Sequence, residues 1–193
     1  MRLILASGSP RRRALLSQLG LDFDVDVSGI EEHPWPRESP YSYALRNATE
    51  KARAVAIRHP DAPILAADTI VVLEGKILEK PTSPEEAREM LRSLSGRTHL
   101  VVTGVCLRVP CESGFREMAD LAQTSVTFHA LTDEDVEVYI RTGEPLDKAG
   151  AYAIQGGAAK FVARIEGPYD NVVGLPLETV SRLLRRAGVR FSP

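Results

Sequence analysis

Hydrophobic and polar positions alternate between two periods along the chain, and this alternation predicts strands and helices in turn. Apolar runs and every-second-residue patterns predict strands at residues 2–6, 22–27, 63–73, 76–79, 97–109, 116–129 and 160–165. Apolar stripes bounded mostly by Ser, Thr, Pro and Gly predict helices at residues 10–20, 40–60, 84–96, 132–142 and 176–187. This order, without an internal repeat or linker, predicts a single α/β domain over residues 1–193.

Composition then excludes several classes of protein. The chain has 193 residues, of which 44% are hydrophobic and 26% charged, as is typical of a globular domain. With 24 basic and 26 acidic residues, neither a nucleic acid nor a membrane surface is an expected partner. No apolar run approaches the roughly 20 residues of a membrane-spanning helix, and no signal-peptide pattern precedes the first strand. We therefore expect a cytoplasmic protein with free cysteines.

A small-residue turn at residues 7–10 leads into a helix that begins with Arg11, Arg12 and Arg13. The helix dipole disfavours cations at this end, so three arginines there make sense where an anion binds among them. By the helical angle, Arg12 projects on the side of the apolar stripe and Arg11 beside it, while Arg13 faces solvent. The pattern predicts a phosphate site, and a solvated run of charge is the alternative.

Asp68 interrupts the apolar strand predicted at residues 63–73. A buried carboxylate needs a cation, a metal or strong hydrogen-bond donors. If Glu74-Gly75 forms a two-residue turn, the pairing of the two strands places Lys80 opposite Thr69 and diagonal to Asp68. Asp68 is therefore a candidate functional residue, and a structural ion pair with Lys80 is the alternative.

Four further residues are candidates with ordinary structural alternatives. Lys51 lies near the edge of an apolar helical stripe, where most lysines extend their ammonium group to solvent. Glu31 and Glu32 follow a strand in a loop, where exposure is the default. Gln155 precedes Gly156-Gly157, and its amide has both the donor and the acceptor needed to read a base edge, although turn chemistry also explains it.

Several ordered blocks of residues together resemble a known family. They are Leu5-Ala6-Ser7-Gly8-Ser9-Pro10-Arg11-Arg12, Ala66-Ala67-Asp68-Thr69, Leu78-Glu79-Lys80-Pro81, Ser95-Gly96-Arg97-Thr98-His99, Thr103-Gly104-Val105, Gly143-Glu144-Pro145-Leu146-Asp147-Lys148-Ala149-Gly150, Ile154-Gln155-Gly156 and Asn171-Val172-Val173-Gly174-Leu175-Pro176. In these blocks the chain resembles, over nearly its whole length, the Maf family of nucleoside triphosphate pyrophosphatases. Glu79 departs from the small residue expected before Lys80.

The resemblance implies a two-lobed α/β fold with a central mixed, twisted sheet and an active-site cleft between the lobes. Such a fold is related to that of the inosine triphosphatases. The resemblance also implies a divalent metal cofactor (Mg²⁺ or Mn²⁺), a nucleoside triphosphate substrate, a homodimer and a cytoplasmic location.

The resemblance also assigns roles to individual residues. It implies that Asp68 is the catalytic base and that Glu31 and Asp68 are the metal carboxylates. The residues implied in substrate specificity are Arg11, Thr69 and Gln155. The further site positions are Ser7, Arg12, Lys51 and Lys80.

The block from Asp147 to Gly156 reads D-K-A-G-x-Y-x-I-Q-G and is similar to the branch of the family that acts on dTTP and UTP. The implied reaction is hydrolysis at the α–β phosphoanhydride, giving nucleoside monophosphate and pyrophosphate in nucleotide-pool house-cleaning. Two alternatives stay open. One is the same reaction on modified nucleotides or 7-methyl-GTP, and the other is a nucleotide-binding regulator of cell division without turnover.

Overall fold

The structure is a computed structural model that describes residues 2–112 and 114–189. The strands are β1 (Leu3–Leu5), β2 (Phe23–Val25), β3 (Ile64–Leu73), β4 (Lys76–Leu78), β5 (Thr98–Cys111), β6 (Gly114–Phe128) and β7 (Val162–Glu166). The helices are α1 (Pro10–Ser17), α2 (Pro40–Ala56), α3 (Pro84–Leu94), α4 (Asp133–Ile140), α5 (Tyr169–Val173) and α6 (Leu177–Ala187). The ends of the single domain predicted over residues 1–193 lie outside the described residues.

The described strands form one mixed sheet in the order β2-β1-β3-β5-β6-β7, with β4 paired to β3 off this path. Strand β1 is parallel to both β2 and β3, whereas β4 is antiparallel to β3. Leu73 pairs with Lys76 across a two-residue turn, in which Glu74 and Gly75 have φ angles of 49° and 80°. Positive φ at both positions is the type I′ geometry that suits the twist of a hairpin. The α/β prediction is confirmed, and so is the register of this hairpin from Leu73–Lys76 to Val71–Leu78. The predicted pairing of Thr69 with Lys80 lies beyond the last pair of this hairpin.

The chain divides into two compact units, and the first contains the described residues within 1–68, 103–122 and 174–193. In its core, small side chains of α2 pack against β1, β3 and the buried Cys106. A Cβ atom added to Gly104 of β5 would lie 2.3 Å from the carbonyl oxygen of Ala44 in α2. The missing side chain of Gly104 therefore allows α2 to approach the sheet closely.

Three of the helices begin with the dipeptide Ser-Pro, and each of these serines caps its helix. At α3, Ser83 Oγ accepts a hydrogen bond from the backbone of Glu86 at 3.2 Å. Ser83 and Glu86 have the spacing of a capping box, but the Glu86 carboxylate accepts from the backbone and hydroxyl of Thr82 instead. A complete capping box forms at α4, between Thr132 and Asp135.

The second unit contains residues 69–102 and 123–173, and its core includes the buried aromatic side chains Phe128, Tyr139, Tyr152 and Phe161. The His99 ring meets Phe128 and Tyr152 edge-on, with ring centroids 5.0 Å and 5.3 Å away. His99 Nε2 also forms a hydrogen bond of 2.8 Å with the Tyr152 hydroxyl. Burial lowers the pKa of His99 to about 4, so this imidazole is neutral at pH 7.

The segment after α4 differs from its prediction. Three 3-10 turns occupy Glu144–Asp147, Ala149–Ala151 and Gly157–Phe161, and the last strand begins only at Val162. Such short turns have no amphipathic period, so the hydrophobic pattern does not reveal them. Among the described residues, no helix combines the length and the apolar composition that crossing a membrane requires.

We expect the buried His99 to weaken the fold in acid. Its pKa is about 4 in the folded state and about 6.5 when unfolded, so its contribution is complete above pH 6.5 and is lost as pH falls. Between pH 7.5 and 5.0 this linkage costs about 2 kcal/mol. In urea unfolding, the free energy of unfolding of His99→Gln should fall less between pH 7.5 and 5.0 than that of the parent protein. The exposed His33→Gln is the control, and equal pH profiles for the two variants would contradict the interpretation.

Candidate active site

In the first unit, α2 presents two polar side chains to Asp68, which is only 6% exposed in β3. Lys51 Nζ lies 2.6 Å from Asp68 Oδ1, and Asn47 Nδ2 donates to Asp68 Oδ2 at 3.0 Å. Asn47 and Lys51 are four residues apart, so they lie one turn apart on the same face of the helix. Both oxygens of the buried carboxylate are therefore held by donors.

A second carboxyl group, that of Glu32, completes this cluster. Lys51 Nζ is 2.7 Å from Glu32 Oε2, and the Glu32 and Asp68 side chains are hydrogen-bonded to each other. Burial raises the pKa of Asp68, but the charge of Lys51 and the hydrogen bonds outweigh it, so this pKa lies below its usual value. Burial and the charge of Asp68 raise the pKa of Glu32. Of the two carboxyl groups, Asp68 is therefore the one that ionises more readily, and Glu32 is the one that holds a proton more firmly.

The cluster offers oxygen atoms of the kind that hard divalent cations prefer. Besides the two carboxyl groups there is the Asn47 carbonyl oxygen, which is buried without a hydrogen-bond partner. The amide orientation follows from chemistry, because an ionised carboxylate accepts only and must face the Asn47 NH₂ group. Elsewhere in residues 2–112 and 114–189, as here, no group of three or more His, Cys, Asp or Glu side chains is arranged to hold a metal. The oxygen donors present fit Mg²⁺ or Mn²⁺ bound through one or two carboxylates.

The N-terminal turn places Ser7 and Arg12 together, also in the first unit. Ser7 Oγ accepts from Arg12 Nη1 at 3.3 Å, and Arg12 Nε donates to the Gly174 carbonyl at 2.8 Å. Burial lowers the pKa of Arg12, while the charges of Asp68 and Glu32 act in the opposite direction. Arg12 is thus anchored within the electrostatic reach of the carboxylates.

The neighbouring arginines differ in their exposure. Arg11 is partly buried and Arg13 is exposed, as the helical angle predicts. Arg11 is therefore better shielded from solvent than Arg13, although both lie in the first turn of α1.

Three of the predicted site residues belong to the second unit. Thr69 is partly buried in β3, and Lys80 is exposed just after the end of β4, beyond the last strand pair of Val71 with Leu78. Gln155 is exposed between the buried Ile154 and Gly156.

Glu31, the other predicted metal carboxylate, does not join the Asp68 cluster. Its side chain is 90% exposed, and the Glu31 carboxylate lies 4.0 Å from His33 Nε2. The adjacent Glu32 points to Asp68 instead.

Comparison with known proteins adds the family. The sequence model of a protein family described as "Maf-like protein" matches residues 2–187 of this chain. The chain belongs to the Maf family. A dTTP/UTP pyrophosphatase of Anaeromyxobacter dehalogenans (strain 2CP-C) is 53% identical over 187 residues, which are 97% of this chain and 94% of that protein. Another from Escherichia coli O157:H7 is 54% identical over 184 residues, or 94% and 91% of the two chains.

Solved structures agree on the fold of this Maf chain. The Ham1 protein of Staphylococcus aureus matches with a TM-score of 0.54 at 15% identity, over 97% of this chain and all of the other. A HAM1 protein from Coxiella burnetii gives 0.52, also at 15% identity, over 96% and 99%. At this identity the likeness concerns the fold alone.

Sequence reasoning missed one side chain of this cluster, Asn47. Its spacing from Lys51 was a usable signal, since residues four apart share a helix face. Glu32 was considered together with Glu31, but only Glu31 was given a metal role. Glu32 follows Glu31 in a loop, where no period distinguishes the inward side chain from the outward one.

Removing the cation of this cluster should destabilise the fold in a pH-dependent way. Lys51→Met leaves Asp68 and Glu32 buried without their positive partner, and we expect a loss of about 3 kcal/mol at pH 8. The pKa of Asp68 then rises above its unfolded value, so the loss should shrink as pH falls and the carboxyl group protonates. Urea unfolding at pH 8.0 and 5.5 measures this. The exposed Lys76→Met is the control, and a pH-independent loss would argue against the paired cluster.

Proposed function

We propose that this protein hydrolyses dTTP and UTP at the α–β phosphoanhydride, releasing nucleoside monophosphate and pyrophosphate in nucleotide-pool house-cleaning. The main structural support is the buried, ionised Asp68 held between Lys51 and Asn47. A module that only binds anions has little reason to bury a carboxylate there. The names of relatives more than half identical to the chain support the substrate choice.

Phosphoanhydrides resist water because their charge repels nucleophiles and because no water is held in line for attack. Cationic side chains relieve the repulsion by neutralising phosphate oxygens. We assign this role to Arg11, Arg12, Lys51 and Lys80. Ser7 keeps Arg12 in place through its hydrogen bond.

We assign Asp68 as the general base. With Lys51 at 2.6 Å its pKa is depressed, which makes it a weak base in the free protein. A substrate phosphate that attracts Lys51 weakens this interaction and raises the basicity of Asp68. Asp68 then accepts the proton of the attacking water, which is directed at the α-phosphorus, and pyrophosphate leaves without a covalent intermediate.

A divalent cation, Mg²⁺ or Mn²⁺, would be held by Asp68 and Glu32 with the Asn47 carbonyl oxygen, and when bound it neutralises phosphate charge as a Lewis acid. The exposed Glu31 keeps its predicted metal role only if its loop turns inward. Because metal ligands bind deprotonated, the raised pKa of Glu32 should weaken cation binding as pH falls.

Base selection is assigned to Gln155, with Thr69 and Arg11 as further specificity residues. Uracil and thymine present an N3–H donor between two carbonyl oxygens, and the Gln155 amide has an acceptor and a donor to answer them. Cytosine inverts part of this pattern, and the buried mismatch costs about 1–3 kcal/mol. The exposure of Gln155 leaves its amide accessible to a ligand.

The remaining predictions concern the whole protein. A homodimer, a cytoplasmic location and a single domain over residues 1–193 stay predictions. Sedimentation at micromolar concentration distinguishes a dimer from a monomer.

Product analysis tests the reaction. With Mg²⁺, we expect dTTP and UTP to give pyrophosphate and monophosphate in equal amounts, because the attack is assigned to the α-phosphorus. Anion-exchange chromatography of the first turnovers measures this. Orthophosphate and diphosphate as first products would contradict the assignment. Preference for 7-methyl-GTP or a modified nucleotide would redirect the substrate, and binding without turnover would favour a regulator.

Asp68→Asn should separate catalysis from binding. The change keeps the shape and removes the base, so hydrolysis should fall by at least about 10²-fold while the protein still binds nucleotide. Calorimetry with and without Mg²⁺ beside turnover on the same preparation measures both.

Arg11→Ala and Arg13→Ala form a matched pair for the phosphate site. Only the first should weaken binding strongly, because Arg13 is exposed.

Near-normal turnover by Asp68→Asn would end the assignment of Asp68 as the general base.

A further inference from the structure

The backbone around Gln155 is held from both sides by one pair of side chains in the second unit. Tyr139 comes from α4 and is only 2% exposed, and Glu144 begins the 3-10 turn that follows this helix. The Tyr139 hydroxyl donates to Glu144 Oε1 at 3.0 Å. The two side chains therefore act as one hydrogen-bonded pair, which we call the Tyr139–Glu144 clamp.

The Tyr139–Glu144 clamp contacts the backbone two residues before Gln155 and two residues after it. The Tyr139 hydroxyl accepts from the backbone N–H of Ala153 at 3.1 Å. Glu144 Oε2 accepts from the backbone N–H of Gly157, also at 3.1 Å. Hydrogen bonds to an ionised carboxylate are stronger than those between neutral groups, so the second contact is a firm one.

The two glycines after Gln155 make the close approach of Glu144 possible. A Cβ atom added to Gly156 would lie 1.8 Å from Glu144 Oε1, and one on Gly157 would lie 3.1 Å from the Tyr139 ring. The first distance requires the Glu144 carboxylate to move, and the second is a tight contact that a shift of a few tenths of an ångström would relieve. The Gly156-Gly157 pair therefore has a packing reason that is separate from any ligand, and that reason is the carboxylate of Glu144.

The segment before Gln155 is buried and separately anchored. Ala153 and Ile154 are each 5% exposed, and the hydroxyl of Tyr152 is bonded to His99. Gln155 is the first side chain of this segment to leave the core. Its position depends on the backbone on either side, since no regular strand or helix contains it.

We propose that Tyr139 and Glu144 are positioning residues for base selection, which hold Gln155 in the geometry that distinguishes uracil and thymine from cytosine. This inference rests on the proposed function and deepens it. A loss of either side chain should leave the phosphate chemistry in place and relax the choice of base. The Gln155 amide can hydrogen-bond to the base edge only when it is held in a fixed direction. We assign the holding of that direction to Tyr139 and Glu144.

The test compares kcat/KM for UTP and CTP in Glu144→Gln, Tyr139→Phe and Gln155→Ala. We expect the UTP:CTP ratio to fall by about tenfold in Gln155→Ala and by a similar factor in the two clamp variants. The double variant Glu144→Gln/Gln155→Ala should lose no more than Gln155→Ala alone, because the clamp acts through Gln155. Inhibition by inorganic tripolyphosphate, which has no base, should be unchanged in all of them.

Matched controls come from the same unit. Glu166→Gln removes a charge from an exposed ion pair with Arg164, and Tyr169→Phe removes the hydroxyl of an exposed tyrosine. Neither control should alter the UTP:CTP ratio.

Glu144→Gln keeps the shape of the side chain, and Tyr139→Phe loses only one atom. At least one clamp variant should therefore remain folded, as measured by circular dichroism.

The outcomes separate the two hypotheses. If Gln155→Ala keeps the UTP:CTP ratio of the parent, base selection by Gln155 is wrong. If Gln155→Ala relaxes the ratio and both clamp variants keep it, the proposed function stands and the positioning role is overturned. An equal fall in kcat/KM for UTP and CTP, together with weaker inhibition by tripolyphosphate, would indicate a general structural defect. That result would also overturn the positioning role. If both clamp variants fail to fold, Gly156→Ala, whose added Cβ atom would displace the Glu144 carboxylate, must relax the ratio for the proposal to survive.

Discussion

The candidate site depends on keeping one carboxylate charged inside the protein. Asp68 lies in a strand whose other side chains are almost all apolar, and an isolated charge there would be too costly to keep. Lys51 and Asn47 on one face of α2 solve this by engaging both oxygens. The same contacts fix α2 against β3. Packing and electrostatics therefore require the same alignment, and a helix rotated by one residue would lose the ion pair and the alanine-rich core contact together.

The charges of the cluster oppose one another. Asp68 and Lys51 carry opposite charges, and Arg12 places a further positive charge within reach of the Asp68 and Glu32 carboxyl groups. Burial and the charge of Asp68 raise the pKa of Glu32, so this carboxyl group holds a proton more firmly than a free one does. A polyphosphate adds negative charge near Lys51, and a divalent cation bound to the carboxyl oxygens adds positive charge. Substrate and cation should therefore favour each other's binding, because each compensates for the charge that the other introduces.

Regular elements were predictable from the sequence where burial imposes a period. The apolar run before Glu74-Gly75 and the turn itself determine the register of β3 with β4, and the stripe on α2 determines which face meets the sheet. Lys51 was found on the edge of that stripe for the same reason. Glu31 and Glu32 mark where this reasoning stops. Both lie in a loop, and only the position of Asp68 in space decides which one turns inward. Glu86 shows a similar limit. Its position in the sequence allows its carboxylate to bond to Ser83 or to Thr82, and in the structure it accepts from Thr82.

The division of tasks between the two compact units has a consequence for how such a protein can change. Asp68, Lys51 and Glu32, the proposed chemical groups, belong to the first unit, whereas Gln155 and its Tyr139–Glu144 clamp belong to the second. On the proposed assignments, substitutions in the aromatic core or the glycine pair should act on base selection without touching the buried charges. Substitutions around α2 should act on the charges without moving Gln155. The separation is not complete, because Arg11 of the first unit is also assigned to specificity and Lys80 of the second unit to phosphate neutralisation.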